Sequence, residues 1–103
     1  DNFIISIAEG AATEGNPSYV PNNPKITLTI DNHVIWNNDD ITPHTVTADH
    51  RHMDSYSGEF GSAGVVMPGE SYEFIFTEPQ ELHYHCDPHP WMIGSLIVEK
   101  SRF

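Results

Sequence analysis

Hydrophobic and polar residues alternate along this chain with a period of two, and this alternation restricts the fold more than any other feature. In segment 25–30 every second residue is Ile or Leu, and in segment 72–77 every second residue is Tyr or Phe. Successive residues of a β-strand point to opposite faces of a sheet, whereas a helix repeats its buried positions about every 3.6 residues. The alternation therefore predicts strands with at least one buried face.

Other segments have strand-like composition and are separated by turn-forming residues. They are residues 3–8, 33–36, 44–48, 65–67, 81–86 and 94–99. Short strands at this spacing predict an all-β sandwich of about seven to eight strands. Segments 9–23 and 49–64 lack alternation and are predicted loops, and a short helical turn is compatible with the second.

The length of 103 residues predicts one domain that covers residues 1–103. No apolar run reaches the length of about 18 residues that a membrane span requires. Residue 1 lies directly before strand-like sequence, without a basic and apolar signal region. A signal peptide or membrane anchor outside this segment stays open.

Cys86, His89 and Met92 follow one another at three-residue steps, and a further Pro-His pair, Pro43-His44, lies upstream. A thiolate, two imidazoles and a thioether suit copper, because hard cations prefer oxygen ligands and structural zinc usually takes more thiolates. The chain has a single cysteine, which excludes an intramolecular disulfide and a binuclear thiolate centre. The spacing therefore predicts one copper ion, cycling between Cu(I) and Cu(II), and one-electron transfer.

The charge balance limits the partners. Fifteen acidic residues against four basic ones give a formal net charge of -11. Phosphate backbones and anionic membrane surfaces would repel such a chain, so nucleic acid is not an expected partner. The acidity is compatible with two interpretations, which are solubility and electrostatic steering toward a basic redox partner.

Strand alternation also predicts which histidines can lie on the same face as Cys86. If residues 81–86 form a strand, Cys86 shares the inward face with Leu82 and Tyr84, whereas His83 and His85 point outward and cannot join Cys86 on one metal. Three further histidines lie near a turn or in a predicted loop and are expected to be solvated. They are His33, His50 and His52.

Four motifs in a fixed order carry a resemblance to a known family. They are Trp-Asn-Asn at 36–38, Thr-Pro-His at 42–44, Met-Pro-Gly-Glu-Ser-Tyr at 67–72 and Tyr-His-Cys-Asp-Pro-His-Pro-Trp-Met at 84–92. With these motifs, most of the chain after Lys25 resembles the cupredoxins, the type 1 blue copper proteins, and among them the plastocyanin- and amicyanin-like members. The resemblance implies a Greek-key β-sandwich and a periplasmic or extracellular electron carrier, with membrane anchoring of the precursor left open.

By position, the resemblance assigns a role to each residue of the site. It implies that His44 and His89 are the equatorial imidazoles, Cys86 the thiolate and Met92 the long axial ligand. Asn38 matches a residue that ties the two ligand-bearing segments together by hydrogen bonds, and such contacts orient metal ligands.

The chain departs from the family pattern in three places. Thr45 follows the first histidine ligand where plastocyanin and amicyanin have Asn, Trp91 replaces a smaller or different residue beside His89, and loop 49–64 is long. These departures concern the subfamily, the partner and the reduction potential.

Two function classes follow. The first is a carrier that passes electrons through the exposed edge of His89, framed by Pro43, Pro90 and Trp91, to a redox protein such as a basic c-type cytochrome or an oxidase. The second is a small copper enzyme with an open axial position that acts on nitric oxide or nitrite. In the second case the loop histidines would supply protons or hold a second metal.

Overall fold

The computed structural model describes residues 2–101, and in this range the chain forms strands, turns and loops without any helix. The strands are β1 (Asn2–Ile7), β2 (Tyr19–Val20), β3 (Lys25–Thr27), β4 (His33–Asn38), β5 (Thr47–Ala48), β6 (Met53–Asp54), β7 (Gly58–Glu59), β8 (Ser71–Ile75), β9 (Gln80–His85) and β10 (Ile93–Glu99). Since this range holds no helix, it also holds none that is long and apolar enough to cross a membrane.

The strands form two main sheets and one small hairpin. The first sheet has the order β2-β1-β4-β8, the second has the order β3-β10-β9-β5, and β6 pairs with β7. Neighbours in both main sheets are antiparallel except for β1 with β4 and β3 with β10. The result is a β-sandwich, as the strand pattern predicted, with the Greek-key topology that the family resemblance implied.

One hydrophobic core joins the inner faces of the two sheets. In β4, Val34 and Trp36 are buried, and in β9, Leu82 and Tyr84 are buried, so burial follows the predicted period of two. The rings of Trp36 and Tyr84 meet edge to face across the sandwich with centroids 5.6 Å apart. Each fully buried large apolar side chain stabilises the fold by about 1.5–3 kcal/mol.

The alternation in segment 25–30 extends further than the strand. β3 ends at Thr27, and Ile30, which the pattern placed on a buried face, is 48% exposed. Asp31 causes this, because its carboxylate accepts a hydrogen bond from the Thr27 N–H and its own N–H donates to the Thr27 carbonyl. The chain therefore turns where the pattern predicted continued strand.

Two other predicted strands are shorter than expected. Of segment 44–48 only Thr47–Ala48 pairs along a strand, and segment 65–67 contributes a single bridge between Val66 and His44. The two predicted loops also contain paired residues, namely β2 in the first and the β6–β7 hairpin in the second.

The β6–β7 hairpin replaces the helical turn that the sequence allowed in loop 49–64. The buried Asp54 carboxylate accepts hydrogen bonds from the N–H groups of Tyr56 and Ser57, which closes the hairpin turn. The same carboxylate accepts from the N–H and hydroxyl of Thr77, which fixes the hairpin against the end of β8. These tertiary contacts determine the conformation of the loop.

Candidate metal centre

Strand ends position the residues that sequence analysis assigned to the metal. Cys86 directly follows β9, and the loop that carries His89 and Met92 leads into β10. Turn hydrogen bonds stabilise this loop, since the His89 N–H donates to the Cys86 carbonyl and the Met92 N–H donates to the His89 carbonyl. The Cys86 N–H closes the loop by donating to the Met92 carbonyl at 3.1 Å.

His44 reaches the same region from a different segment. Its backbone pairs with that of Val66 in both directions, with N···O distances of 3.2 and 2.6 Å. Its side chain is fully buried, and its ring lies 4.9 Å from the ring of His89.

The three donor atoms have a geometry that fits a metal ion. The Cys86 Sγ lies 3.6 Å from His44 Nδ1 and 3.5 Å from His89 Nδ1, and the three atoms all lie within 4.8 Å of one another. Bonds of about 2.0–2.1 Å to nitrogen and about 2.3 Å to sulfur, at angles between tetrahedral and trigonal, separate nitrogen from sulfur by about 3.5–3.8 Å. One thiolate and two imidazoles at these separations suit copper.

Met92 and Trp91 occupy different environments in the ligand loop. Met92 is fully buried and belongs to the same core cluster as Cys86. Trp91 is half-buried, its indole N–H donates to the Ala11 carbonyl at 3.2 Å, and its ring centroid lies 5.3 Å from that of His89. Trp91 therefore packs beside His89 and is bonded to the loop that follows β1.

Thr45 connects the two ligand-bearing segments. Its N–H points at the Cys86 Sγ at 3.3 Å, and its hydroxyl accepts a hydrogen bond from the Asp87 N–H at 2.9 Å. The Thr45 hydroxyl therefore links the His44 segment to the segment that carries Cys86, a contact that no motif in the sequence predicted. A hydrogen bond to the sulfur stabilises its negative charge.

Asn38 lies close to the site, but its contacts differ from those that the resemblance implied. Its amide Nδ2 donates to the carbonyls of Thr42 and Val66 at 2.9 and 2.8 Å. Thr42 lies two residues before His44, and Val66 is the backbone partner of His44. None of the described hydrogen bonds of the Asn38 side chain reaches segment 86–92. Asn38 therefore orients the His44 segment, and Thr45 makes the connection between the two segments.

Asp40 is buried beside His44 and was not among the residues predicted for the site. Its Oδ2 lies 2.6 Å from His44 Nε2, and its side chain is only 2% exposed. Burial alone would raise the pKa of Asp40, but hydrogen bonds from His44 and from the N–H groups of Gly10 and Ile41 lower it to about 2. The exposed Asp39 beside it is chemically identical, so the sequence contains no signal that separates the two.

The remaining histidines lie outside this cluster. His83 is exposed and His85 partly exposed, while Cys86 is fully buried, as strand alternation predicted. The His85 ring lies between two carboxylates, with Nδ1 against Asp49 and Nε2 3.0 Å from Asp87, and the contact with Asp49 contributes most to raising the pKa of His85.

The three histidines that the sequence predicts to be solvated are all at least partly exposed. His50 is exposed, His52 is partly exposed, and His33 is partly exposed and contacts Glu73 at 3.2 Å. Within residues 2–101, His44, Cys86 and His89 are the one group of three histidine, cysteine or carboxylate side chains close enough to share a metal ion.

A Greek-key sandwich that brings two imidazoles and one thiolate together beside a buried methionine defines a cupredoxin. Sequence comparison gives the family directly, because residues 8–99 match the model of the copper binding proteins of the plastocyanin/azurin family. Amicyanin from Paracoccus denitrificans is 31% identical over 94 residues, which cover 90% of this chain and 69% of that relative. Two further amicyanins match over 55% and 61% of their own lengths.

Solved structures give the same result. The purple cupredoxin from Nitrosopumilus maritimus superposes with a TM-score of 0.75 at 28% identity, covering 94% of this chain and 99% of that one. A copper-containing nitrite reductase from Thermus scotoductus superposes with a TM-score of 0.74 at 22% identity, but this chain covers only 23% of it, so that likeness concerns the fold alone.

The chain belongs to the plastocyanin/azurin family of copper-binding proteins. It is a type 1 copper protein that holds one copper ion and carries electrons to and from a redox protein partner.

Proposed function

We propose that residues 1–103 form one cupredoxin domain in which His44, Cys86 and His89 bind the copper ion and Met92 is the axial ligand. The convergence of the three donor atoms, all within 4.8 Å of one another, carries this assignment. Met92 is fully buried and lies three residues after His89, which supports its assignment as the fourth, axial ligand. Asn38 and Thr45 orient the segments that hold these ligands.

The protein contributes a site that changes little between oxidation states. Bound copper supplies the one-electron couple between Cu(I) and Cu(II). Pro88 and Pro90 restrict the backbone on both sides of His89, and the turn hydrogen bonds of the loop reduce its freedom further. Cys86 is fully buried, which excludes water and other thiols from its sulfur. A rigid and dry site keeps the reorganisation that accompanies electron transfer small.

His89 is the exit point for the electron in this proposal, because it is partly exposed whereas His44 and Cys86 are buried. Pro43 precedes one histidine, Pro90 and Trp91 follow the other, and all three are at least partly exposed. A small apolar surface around a redox centre suits a transient interface, which typically buries less area than a stable complex.

The acidic character of the chain supports a basic partner, such as a c-type cytochrome or an oxidase. With a formal net charge of -11, long-range attraction would favour encounter with a basic surface. The resemblance to amicyanin supports a periplasmic or extracellular location, and a membrane anchor outside this segment is compatible with it.

The alternative function is an enzyme with an open axial position, and the bulk of Trp91 between His89 and Met92 would favour it by turning the thioether away from the metal. The hydrogen bond between Trp91 and Ala11, together with the burial of Met92, argues against such displacement. The two functions make opposite predictions for small ligands and for Met92.

Titration of the oxidised copper protein with azide and with nitric oxide separates them. For a closed site we expect an unchanged spectrum with both ligands, and a higher reduction potential for Met92→Leu because a weak donor to Cu(II) is lost. Met53→Leu is the matched control, since Met53 is 52% exposed on the hairpin. Saturable azide binding, consumption of nitric oxide with formation of nitrite, and an unaltered potential in Met92→Leu would instead establish the open site.

A further inference from the structure

The carboxylate of Asp40 is the only hydrogen-bond partner that the described residues provide to Nε2 of His44, the ring nitrogen that is not directed at Cys86. The two side chains are 2% and 0% exposed, and Oδ2 lies 2.6 Å from Nε2. The second oxygen, Oδ1, accepts hydrogen bonds from the N–H groups of Gly10 at 2.9 Å and Ile41 at 2.8 Å. Both oxygens are therefore engaged, and the carboxylate has a fixed orientation.

This arrangement determines which nitrogen of His44 carries the proton. An ionised carboxylate can only accept hydrogen bonds, and a neutral imidazole has one donor nitrogen and one acceptor nitrogen. Since Nε2 faces Asp40, Nε2 carries the hydrogen, and the lone pair of Nδ1 is directed toward the Cys86 sulfur 3.6 Å away. The His44 ring therefore has its free lone pair on Nδ1, the nitrogen that faces Cys86, before a metal binds.

We propose that Asp40 is a positioning residue that fixes the tautomer of His44, strengthens it as a donor and thereby lowers the reduction potential of the copper. The inference rests on the proposed function, because it takes His44 as a ligand. A carboxylate bonded to a ligating imidazole raises the basicity of that ligand. A nearby negative charge also favours Cu(II) over Cu(I), because the attraction grows with the charge of the ion.

The loop after β1 holds Asp40 in place from the other side. The Gly10 N–H donates to Asp40, the Gly10 carbonyl accepts from the Asn16 side chain at 3.0 Å, and the next residue, Ala11, accepts from Trp91 beside His89. The same loop therefore contacts both Asp40, which is hydrogen-bonded to His44, and Trp91, which packs beside His89. Asp40 cannot easily rotate away, so its charge acts at a fixed distance from the site.

The test compares Asp40→Asn with Asp54→Asn. Asp54 is the matched control because it is also a buried aspartate with several hydrogen bonds, and none of those formed with the described residues involves a proposed ligand. In metal-free protein, nitrogen-15 NMR of the imidazole reports the tautomer of His44. We expect the Nε2–H form alone in wild type and in Asp54→Asn, and a mixture of tautomers in Asp40→Asn.

Copper measurements give the second readout. Loss of a partner behind a ligating histidine costs about 10- to 100-fold in metal affinity, and we expect such a loss for Cu(II) in Asp40→Asn. Each tenfold loss that is specific to Cu(II) raises the potential by about 59 mV. Asp54→Asn should leave both quantities at their wild-type values, whereas Asp40→Glu, which restores the charge, should recover part of the change in potential.

The results distinguish failure of this inference from failure of the proposed function. A wild-type His44 that carries its hydrogen on Nδ1 would overturn the inference even if Asp40→Asn did not fold. An Asp40→Asn protein with wild-type potential and wild-type tautomer would overturn it as well. If instead His44→Ala left the copper spectrum unchanged, the ligand assignment itself would be wrong.

Discussion

Gly94 should not tolerate a side chain, although its strand position is ordinary. Gly94 on β10 lies directly opposite Tyr84 on β9. A Cβ atom added at Gly94 would lie 2.6 Å from the Tyr84 Cζ and 2.8 Å from both its Cε2 and its Oη. Ordinary contacts of a Cβ atom begin near 3.4 Å, so in Gly94→Ala the tyrosine ring has to move by about 0.8 Å.

The ring has little room for this movement. Tyr84 is fully buried, and its centroid lies 4.7 Å from that of Tyr19 and 5.6 Å from that of Trp36. Overpacking a dense core typically costs about 1–3 kcal/mol, and we expect Gly94→Ala to lower the free energy of unfolding by that amount. For a chain of this size, each kcal/mol lowers the Tm by about 4–8 °C.

Urea unfolding of the metal-free protein, followed by tryptophan fluorescence, measures the effect. Gly64→Ala is the matched control, because no atom lies within 4 Å of a Cβ added there. We expect Gly64→Ala to change stability by less than about 1 kcal/mol in either direction. In a Tyr84→Leu background, which lacks the three clashing atoms, Gly94→Ala should cost clearly less than in wild type. Equal costs for Gly94→Ala and Gly64→Ala would refute the reasoning.

Three further predictions concern charged groups. Burial alone would raise the pKa of Asp54, but hydrogen bonds from Thr77 and the hairpin lower it. The stability that Asp54 contributes is therefore present above the unfolded pKa of about 3.9 and is lost as the pH falls through the folded pKa. Asp54→Asn should lower the free energy of unfolding by about 1–3 kcal/mol at neutral pH and should weaken the dependence of that free energy on pH in the acid range. An unchanged pH dependence would contradict this prediction. Asp49 contributes most to the raised pKa of His85, so Asp49→Asn should lower that pKa in an NMR titration of metal-free protein. The associated stability is present below about pH 6.5 and lost as the pH rises through the folded pKa, and an unshifted titration would show that the contact is absent in solution. Finally, stopped-flow electron transfer with a basic c-type cytochrome should slow as salt shortens the screening length to about 8–10 Å, and rates independent of salt would leave solubility as the explanation of the acidity.

The sequence predicted those parts of the fold that depend on local pattern. Segments 3–8, 81–86 and 94–99 are strands within a residue or two of the predicted bounds, because burial on one face of a sheet enforces the period of two. The prediction of strands and loops from the sequence was wrong where tertiary hydrogen bonds determine the backbone conformation instead of the local pattern. Asp31 ends β3 early, and Asp54 folds part of loop 49–64 into a hairpin by bonding to Thr77.

For the candidate site, the sequence predicted the metal ligands but not the residues that orient them. The donor set of His44, Cys86 and His89 was visible because ligand chemistry needs those residue types, and the structure brings the three together. The residues that support them were not visible. Thr45 meets Cys86 across 41 positions, and Asp40 meets Gly10 across 30, and no local spacing encodes such contacts.

The visible absorption and electron-spin spectra of the Cu(II) protein test the central claim most directly. If the Cys86 thiolate binds copper, we expect an intense visible band from charge transfer between sulfur and metal, which Cys86→Ala abolishes. His83→Ala, which alters an exposed histidine of β9, the strand that leads to Cys86, should leave the spectra unchanged. A Cys86→Ala protein that binds copper and keeps the wild-type spectra would contradict the account.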